Sequence, residues 1–123
     1  MWIPILILAA VVAVVFVLKK AGQISAKDAV AHLKSGALVI DVRTPGEFSS
    51  GHLPNALNFP LDEIETALPR RFKDKSQVLL LHCLSGMRSG VAQGKLKRLG
   101  YASVFNLGSL GRAQTISDDA RGN

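Results

Sequence analysis

The hydrophobic pattern of the chain falls into two unequal parts. From Trp2 to Leu18 there are 17 consecutive residues without a charge, mostly Ile, Leu, Val and Ala, and Lys19 and Lys20 end the run. As a helix that run rises about 26 Å, close to the ~30 Å of a bilayer's hydrocarbon core, and the lysine stems can snorkel across the remainder. A helix of a soluble core would carry a polar stripe, and none interrupts this stretch. Pro4 lies in the first turn, where its missing N–H costs little. A cleaved secretory leader would place basic residues before the apolar run and a small-x-small site after it; here the lysines follow. The pattern predicts one transmembrane helix over 2–18 and a juxtamembrane linker over 19–23. By the positive-inside rule it also predicts a single-pass membrane protein with its domain in the cytoplasm.

Beyond the linker the periodicity changes repeatedly. Ile24 to Gly36 reads as a helix: Ser25 caps it, Asp28 completes a capping-box-like pair, Ala29, Val30 and Leu33 share a face, and Gly36 ends it. Leu38 to Val42 is a short apolar run of the kind buried on both faces of a parallel sheet. A loop rich in Pro, Gly and Ser spans Arg43 to Asn55. Ala56 to Phe59 is a short strand and Leu61 to Leu68 a helix with Asp62 and Glu63 in its first turn. Val78 to His82 is a second strongly apolar strand. Ser89 to Leu99 is a helix closed by Gly100, and Val104 to Leu107 is a last strand. Alternating strands and helices imply an α/β domain, placed at 24–116, with a parallel sheet covered on both faces. A polar tail at 117–123 is expected to fray.

Composition narrows the chemistry. The 103 residues from Ala21 onward suffice for one modest core. A single cysteine, Cys83, excludes an intramolecular disulfide and a cysteine-rich zinc site, and His32, His52 and His82 have no metal-ligand spacing. The net charge of +6 falls to +4 once Lys19 and Lys20 are assigned to the membrane boundary. The remaining basic residues are scattered and aromatics are few, which argues against nucleic acid as a partner.

Ligands of parallel sheets bind beyond the carboxyl ends of the strands. Two of those ends stand out: Asp41-Val42-Arg43 and His82-Cys83. In the second, a buried strand delivers a lone cysteine to a short loop containing Gly86, and a helix starts at about Ser89. Loop N–H groups, the helix N-terminus and Arg88 all favour thiolate over thiol, and the same N–H groups form a cradle for an anion. The alternative is a small buried hydrophobe, a common fate of free cysteine.

Cys83-Leu84-Ser85-Gly86-Met87-Arg88-Ser89 resembles the active-site loop of the rhodanese-like sulfurtransferases. Asp41-Val-Arg-Thr-Pro-Gly-Glu47-Phe-Ser-Ser-Gly51-His-Leu-Pro54-Asn-Ala56-Leu-Asn-Phe-Pro60 is similar to the family's first signature, and Gly100-Tyr-Ala-Ser-Val-Phe-Asn-Leu107-Gly108 to its closing strand. The resemblance runs from about Ile24 to Gly111. It implies a rhodanese-like fold, a five-stranded, mostly parallel sheet with helices on both faces. It also implies a ping-pong reaction without metal or organic cofactor. In that reaction Cys83 takes a sulfane sulfur from a small donor such as thiosulfate and passes it to cyanide, a thiol or a protein acceptor. The N–H groups of Leu84, Ser85, Gly86, Met87 and Arg88 would cradle the persulfide, and Arg88 would help hold the donor. A phosphatase or arsenate reductase of the same fold is a lesser alternative: related phosphatases have five residues between cysteine and arginine, and here there are four. A binding or regulatory module without turnover is the other alternative, although inactive members typically lose the cysteine.

Several residues carry narrower expectations. In the family, positions like Asp41 and Arg43 mainly support the loop. Arg43 and Glu47, four apart, are placed to pair. His82 points to the opposite face from Cys83 and reads as a satisfied buried histidine. Asn55 stands where the family often has glycine and tolerates left-handed backbone. The family's Gly-Gly followed by tryptophan is replaced by Gly108-Ser109-Leu110-Gly111, and the last helix is expected to be short or absent after Gln114. Leu84 and Met87 make the loop apolar.

Overall fold

A computed structural model describes residues 2–122, and within the first helix it leaves the side chains of 16–21 outside the description. Four strands form one parallel sheet: β1 (Leu38–Asp41), β2 (Leu57–Asn58), β3 (Leu79–His82) and β4 (Val104–Gly108), in the order β2-β1-β3-β4. The central pair β1 and β3 runs in register from Leu38 beside Leu79 to Asp41 beside His82. Both strong apolar runs of the sequence therefore lie side by side, and their carboxyl ends meet.

Side-chain alternation divides the core in two. On one face Ile40, Leu79, Leu81, Cys83 and Val104 pack with Ile64 and Leu68 of α4 (Ile64–Arg71) and with Ala92 and Leu96 of α5 (Met87–Arg98). On the other, Val39, Leu80 and Leu107 pack with Ala29 of α2 (Ala26–Lys34) and with Ala113 and Ile116 of α6 (Leu110–Ala120). Ser25 caps α2 by accepting from the Asp28 N–H at 3.1 Å, as the sequence predicts.

The structure departs from the sequence expectations in four places. The sheet has four strands where five were expected. Gln23 makes only an isolated parallel bridge to Asn106, with the Ile24 N–H bonded to the Asn106 carbonyl at 3.0 Å. Ser25 then turns the chain into α2 before a ladder can extend. The stretch 43–55 is not all loop: Thr44 and Glu47 form a reciprocal capping box that starts the short helix α3 (Pro45–Ser49). The last helix continues past Gln114 to Ala120 and buries Ile116 and Ser117, because Ser109 caps it and α2 offers an apolar face.

The fourth departure concerns the N-terminal segment. It forms α1 (Ile3–Ala21), whose apolar side chains from Trp2 to Val15 are exposed. No helix among the described residues is long and apolar enough to cross a membrane. The predicted transmembrane span over 2–18, the membrane as partner and the single-pass cytoplasmic placement are corrected accordingly. Residues 16–18 of that span, and Lys19 and Lys20 behind it, lie outside the described side chains.

Candidate active site

Strand β3 ends at His82, and Cys83 follows, fully buried, with its N–H on the Gly108 carbonyl at 3.3 Å. The chain then turns through Leu84, Ser85 and Gly86 into α5. Gly86 has a φ of 99°, and a Cβ there would sit 3.2 Å from the Gly108 Cα, so the tight turn requires glycine twice over. The far side of the loop is stitched to the start of α6. Ser85 bridges Ser109, and the Leu110 N–H donates to the Leu84 carbonyl at 3.1 Å.

This turn aims donors at the sulfur. The Gly86 N–H lies 3.0 Å from Cys83 Sγ and the Ser89 hydroxyl 3.5 Å from it. Burial opposes ionisation of the thiol. The Ser89 hydroxyl, followed by the N–H groups of Ser89, Gly86 and Ser85, outweighs it, and the Cys83 pKa falls below its ordinary value. Ser89 has one proton and three acceptors in reach: the sulfur, the Gly86 carbonyl at 3.2 Å and Asn106 Oδ1 at 2.7 Å. Asn106 in turn donates to the Gly86 carbonyl at 3.2 Å and accepts from the Gly108 N–H at 2.8 Å. Ser89 and Asn106 thus belong to the site although neither stood out as chemistry in the sequence. The signal for Ser89 was its position, one residue after Arg88 on the first turn of the helix.

Arg88 does not hang free over the sulfur. Glu47 of α3 grips its guanidinium at 2.7 and 3.0 Å. Those bonds, then one from the Thr44 N–H, lower the Glu47 pKa to about 2. Glu47 first, and the negative sulfur of Cys83 after it, raise the Arg88 pKa. The expected Arg43–Glu47 pair is therefore replaced. Arg43 is taken by Asp41, through Nε at 3.0 Å to both carboxylate oxygens and Nη2 at 2.7 Å, because both are buried at the same strand end, where the carboxylate is out of reach of water. Arg43 also donates to the Gly51 carbonyl at 2.8 Å, and Asn58 donates to the carbonyls of Asp41 and Arg43 at 3.0 Å each. Asn55 adopts the left-handed conformation at φ 64°, the backbone its identity allows.

His82 lies on the face opposite Cys83 in the strand alternation and is buried, but it is not satisfied. Its Nδ1 is 3.2 Å from the Cys83 carbonyl, while Nε2 has no hydrogen-bond partner among the described residues and stands 3.7 Å from Asp41 Oδ2. Burial lowers its pKa, with the Asp41 charge partly opposing.

Of the loop residues named from the sequence, Ser85 and Gly86 turn N–H groups to the sulfur. Leu84 and Met87 are 56% and 66% exposed. A cleft of about 590 Å³, lined by Arg43, Glu47, Gly51, His52, Leu110 and Gln114, opens beside the loop. No cluster of His, Cys, Asp and Glu among the described residues has the form of a metal site.

Residues 25–110 match the family model described as a rhodanese-like domain. The chain is 35% identical over 71 residues to the thiosulfate sulfurtransferase PspE of Escherichia coli, a match covering 58% of this chain and 68% of that protein. It is 39% identical over 70 residues to a sulfurtransferase of Allochromatium vinosum, covering 57% and 64%. Among solved structures it superposes on the human single-domain sulfurtransferase TSTD1 with a TM-score of 0.62 at 30% identity, covering 73% of this chain and 89% of that one. A rhodanese from E. coli solved with anions gives 0.60 at 32% identity, covering 63% and 91%. With residues 25–110 matched by that model and its parallel sheet superposing on these sulfurtransferases, the chain belongs to the rhodanese-like domain family.

Proposed function

We propose that this protein is a sulfurtransferase in which Cys83 carries the sulfur as a persulfide. The observation that carries the proposal is the seat of the sulfur. A buried thiol with a lowered pKa faces the N–H of Gly86 and the Ser89 hydroxyl, at the junction of β3 and α5. Its sulfurtransferase relatives support sulfur transfer in general.

In the first half-reaction the Cys83 thiolate attacks the outer sulfur of a donor such as thiosulfate. The Cys83 Sγ–S bond forms, the donor's S–S bond breaks, and sulfite departs with the bonding pair. The outer sulfur of the persulfide then carries the charge. The N–H groups of Ser85, Gly86 and Ser89, backed by the N-terminus of α5, are positioned to stabilise it. In the second half-reaction cyanide or a thiolate attacks that outer sulfur, the Sγ–S bond breaks, and the Cys83 thiolate returns. Ser89 follows the charge: its proton serves Asn106 while the sulfur is neutral and turns to the sulfur when it ionises. Arg88 is compensated by Glu47, ionised at every working pH, so its share in holding an anionic donor requires that pair to open. Asp41 and Arg43 act as a clamp that fixes the neighbouring strand end.

Four residues between Cys83 and Arg88 make a cradle for sulfur, tighter than the five-residue loop of phosphatases with this fold. Intact mass of the protein before and after thiosulfate tests the proposal. The expected result is a gain of one sulfur atom, reversed by cyanide and absent in Cys83→Ala, which keeps its circular dichroism spectrum. Turnover retained by Cys83→Ala, or a reactive thiolate that never gains sulfur, would overturn it.

A further inference from the structure

Outside α1, the exposed large hydrophobic side chains among the described residues are Leu84, Met87 and Val91. All three belong to the loop or to the first turns of α5. Leu84 and Met87 flank Ser85 and Gly86, whose N–H groups face the sulfur, and Val91 lies one helical turn beyond Met87 on the same side. The patch continues into a groove of about 490 Å³ lined by Val15, Gly86, Met87, Gly90, Val91 and Gln93, mostly apolar and beginning at the glycine that touches the sulfur.

Charge around the loop points the same way. The arginines that border it are all engaged: Arg43 by Asp41, Arg88 by Glu47, and Arg112 by the carbonyls of Leu107 and Ile24. Among the described residues a charged acceptor would meet no free arginine at the loop, and it would have to desolvate against Leu84 and Met87. An uncharged, apolar body gains from covering the same side chains.

Building on the sulfur-transfer proposal, we infer that the acceptor discharging the Cys83 persulfide is a small thiol borne on an uncharged, apolar body. The volume of the groove is that of a small-molecule site. The transfer balances without an oxidant: the acceptor thiolate attacks the outer sulfur, the Cys83 Sγ–S bond breaks, and the new persulfide leaves on the acceptor.

The test uses the full chain loaded with thiosulfate, with persulfide loss followed by mass. Rates are compared along the mercaptoalcohols from mercaptoethanol to mercaptohexanol, and along mercaptoacids of matching length. The rate is expected to rise about two- to fourfold per methylene along the alcohols, with the acids slower at every length. Val91→Lys is expected to flatten that slope. A flat slope, or faster transfer to the acids, in protein that loads and discharges to cyanide would overturn this inference and leave the sulfur-transfer proposal standing. Faster discharge by a cysteine in an apolar peptide than by any mercaptoalcohol would assign the patch to a protein instead. Failure to load at all would remove both.

Discussion

Two strand ends lie side by side in the centre of the sheet and solve opposite problems. At the end of β1, Asp41 and Arg43 neutralise one another while buried, and Asn58 and Gly51 take up the polar atoms around them. At the end of β3, His82 keeps a nitrogen without a partner, and Cys83 accepts from a glycine N–H and shares a serine proton with two oxygens. The first end is saturated and therefore rigid; the second holds its donors in competition, so they can be reassigned when the charge on sulfur changes. A reactive residue gains from sitting beside a saturated neighbour, because one strand end can then be responsive without loosening the sheet.

The sharpest way to break that contrast is Asp41→Asn, which leaves the Arg43 guanidinium buried without its counter-charge. Unfolding free energy from urea titration is expected to fall by about 3–5 kcal/mol, the largest loss among these substitutions. Gly86→Ala attacks the responsive end through its backbone. An L-residue held at this positive φ costs about 1–2 kcal/mol, and the Cβ would press on the Gly108 backbone at 3.2 Å. The expected result is a moderate loss of stability with a much larger loss in the rate of sulfur loading.

His82 separates the two ends by pH. The unfolded chain protonates its histidine near the ordinary value of 6.5, whereas burial holds the folded one lower. The folded state thus binds fewer protons. Its full stability is present above that value and is lost as pH falls through it toward the folded value. Urea midpoints measured just above and below pH 6.5 are expected to show this decline in the native protein and a flatter profile in His82→Gln. The acid loss tied to Glu47 begins lower, between its ordinary 4.5 and about 2. The smallest effect on stability is expected from Ser89→Ala, about 1 kcal/mol, because Asn106 Oδ1 keeps the Gly108 N–H. Its readout is the thiolate absorbance, whose titration is expected to move to higher pH than in the native protein.

What could be seen in the sequence depended on whether the determining contact was local. The apolar runs at Leu38 and Val78, the Ser25 cap and the glycine-containing turn after Cys83 are set by neighbours in the chain, and the sheet follows from them. The partner of Arg88 is 41 residues away, and nothing in the spacing of Arg43 and Glu47 distinguishes a pair from two separate pairs. Asn106 looked like an ordinary strand residue because its task, holding Ser89 and Gly86, exists only once β4 lies beside β3. The apolar N-terminal run shows the converse: hydropathy was plain there and still did not decide what the described helix amounts to.

The placement of β3 has a kinetic consequence. It is bonded on both sides, buried on both faces and continuous with the cysteine, which puts its amides among those that exchange with solvent only when the whole domain unfolds. The loop after it has no such lock, since its own bonds run to the start of α6 and to single side chains. Hydrogen exchange is therefore expected to be faster at Leu84 and Ser85 than at Leu80 and Leu81, and modification of the Cys83 thiol to keep its rate when substitutions elsewhere in the domain lower global stability.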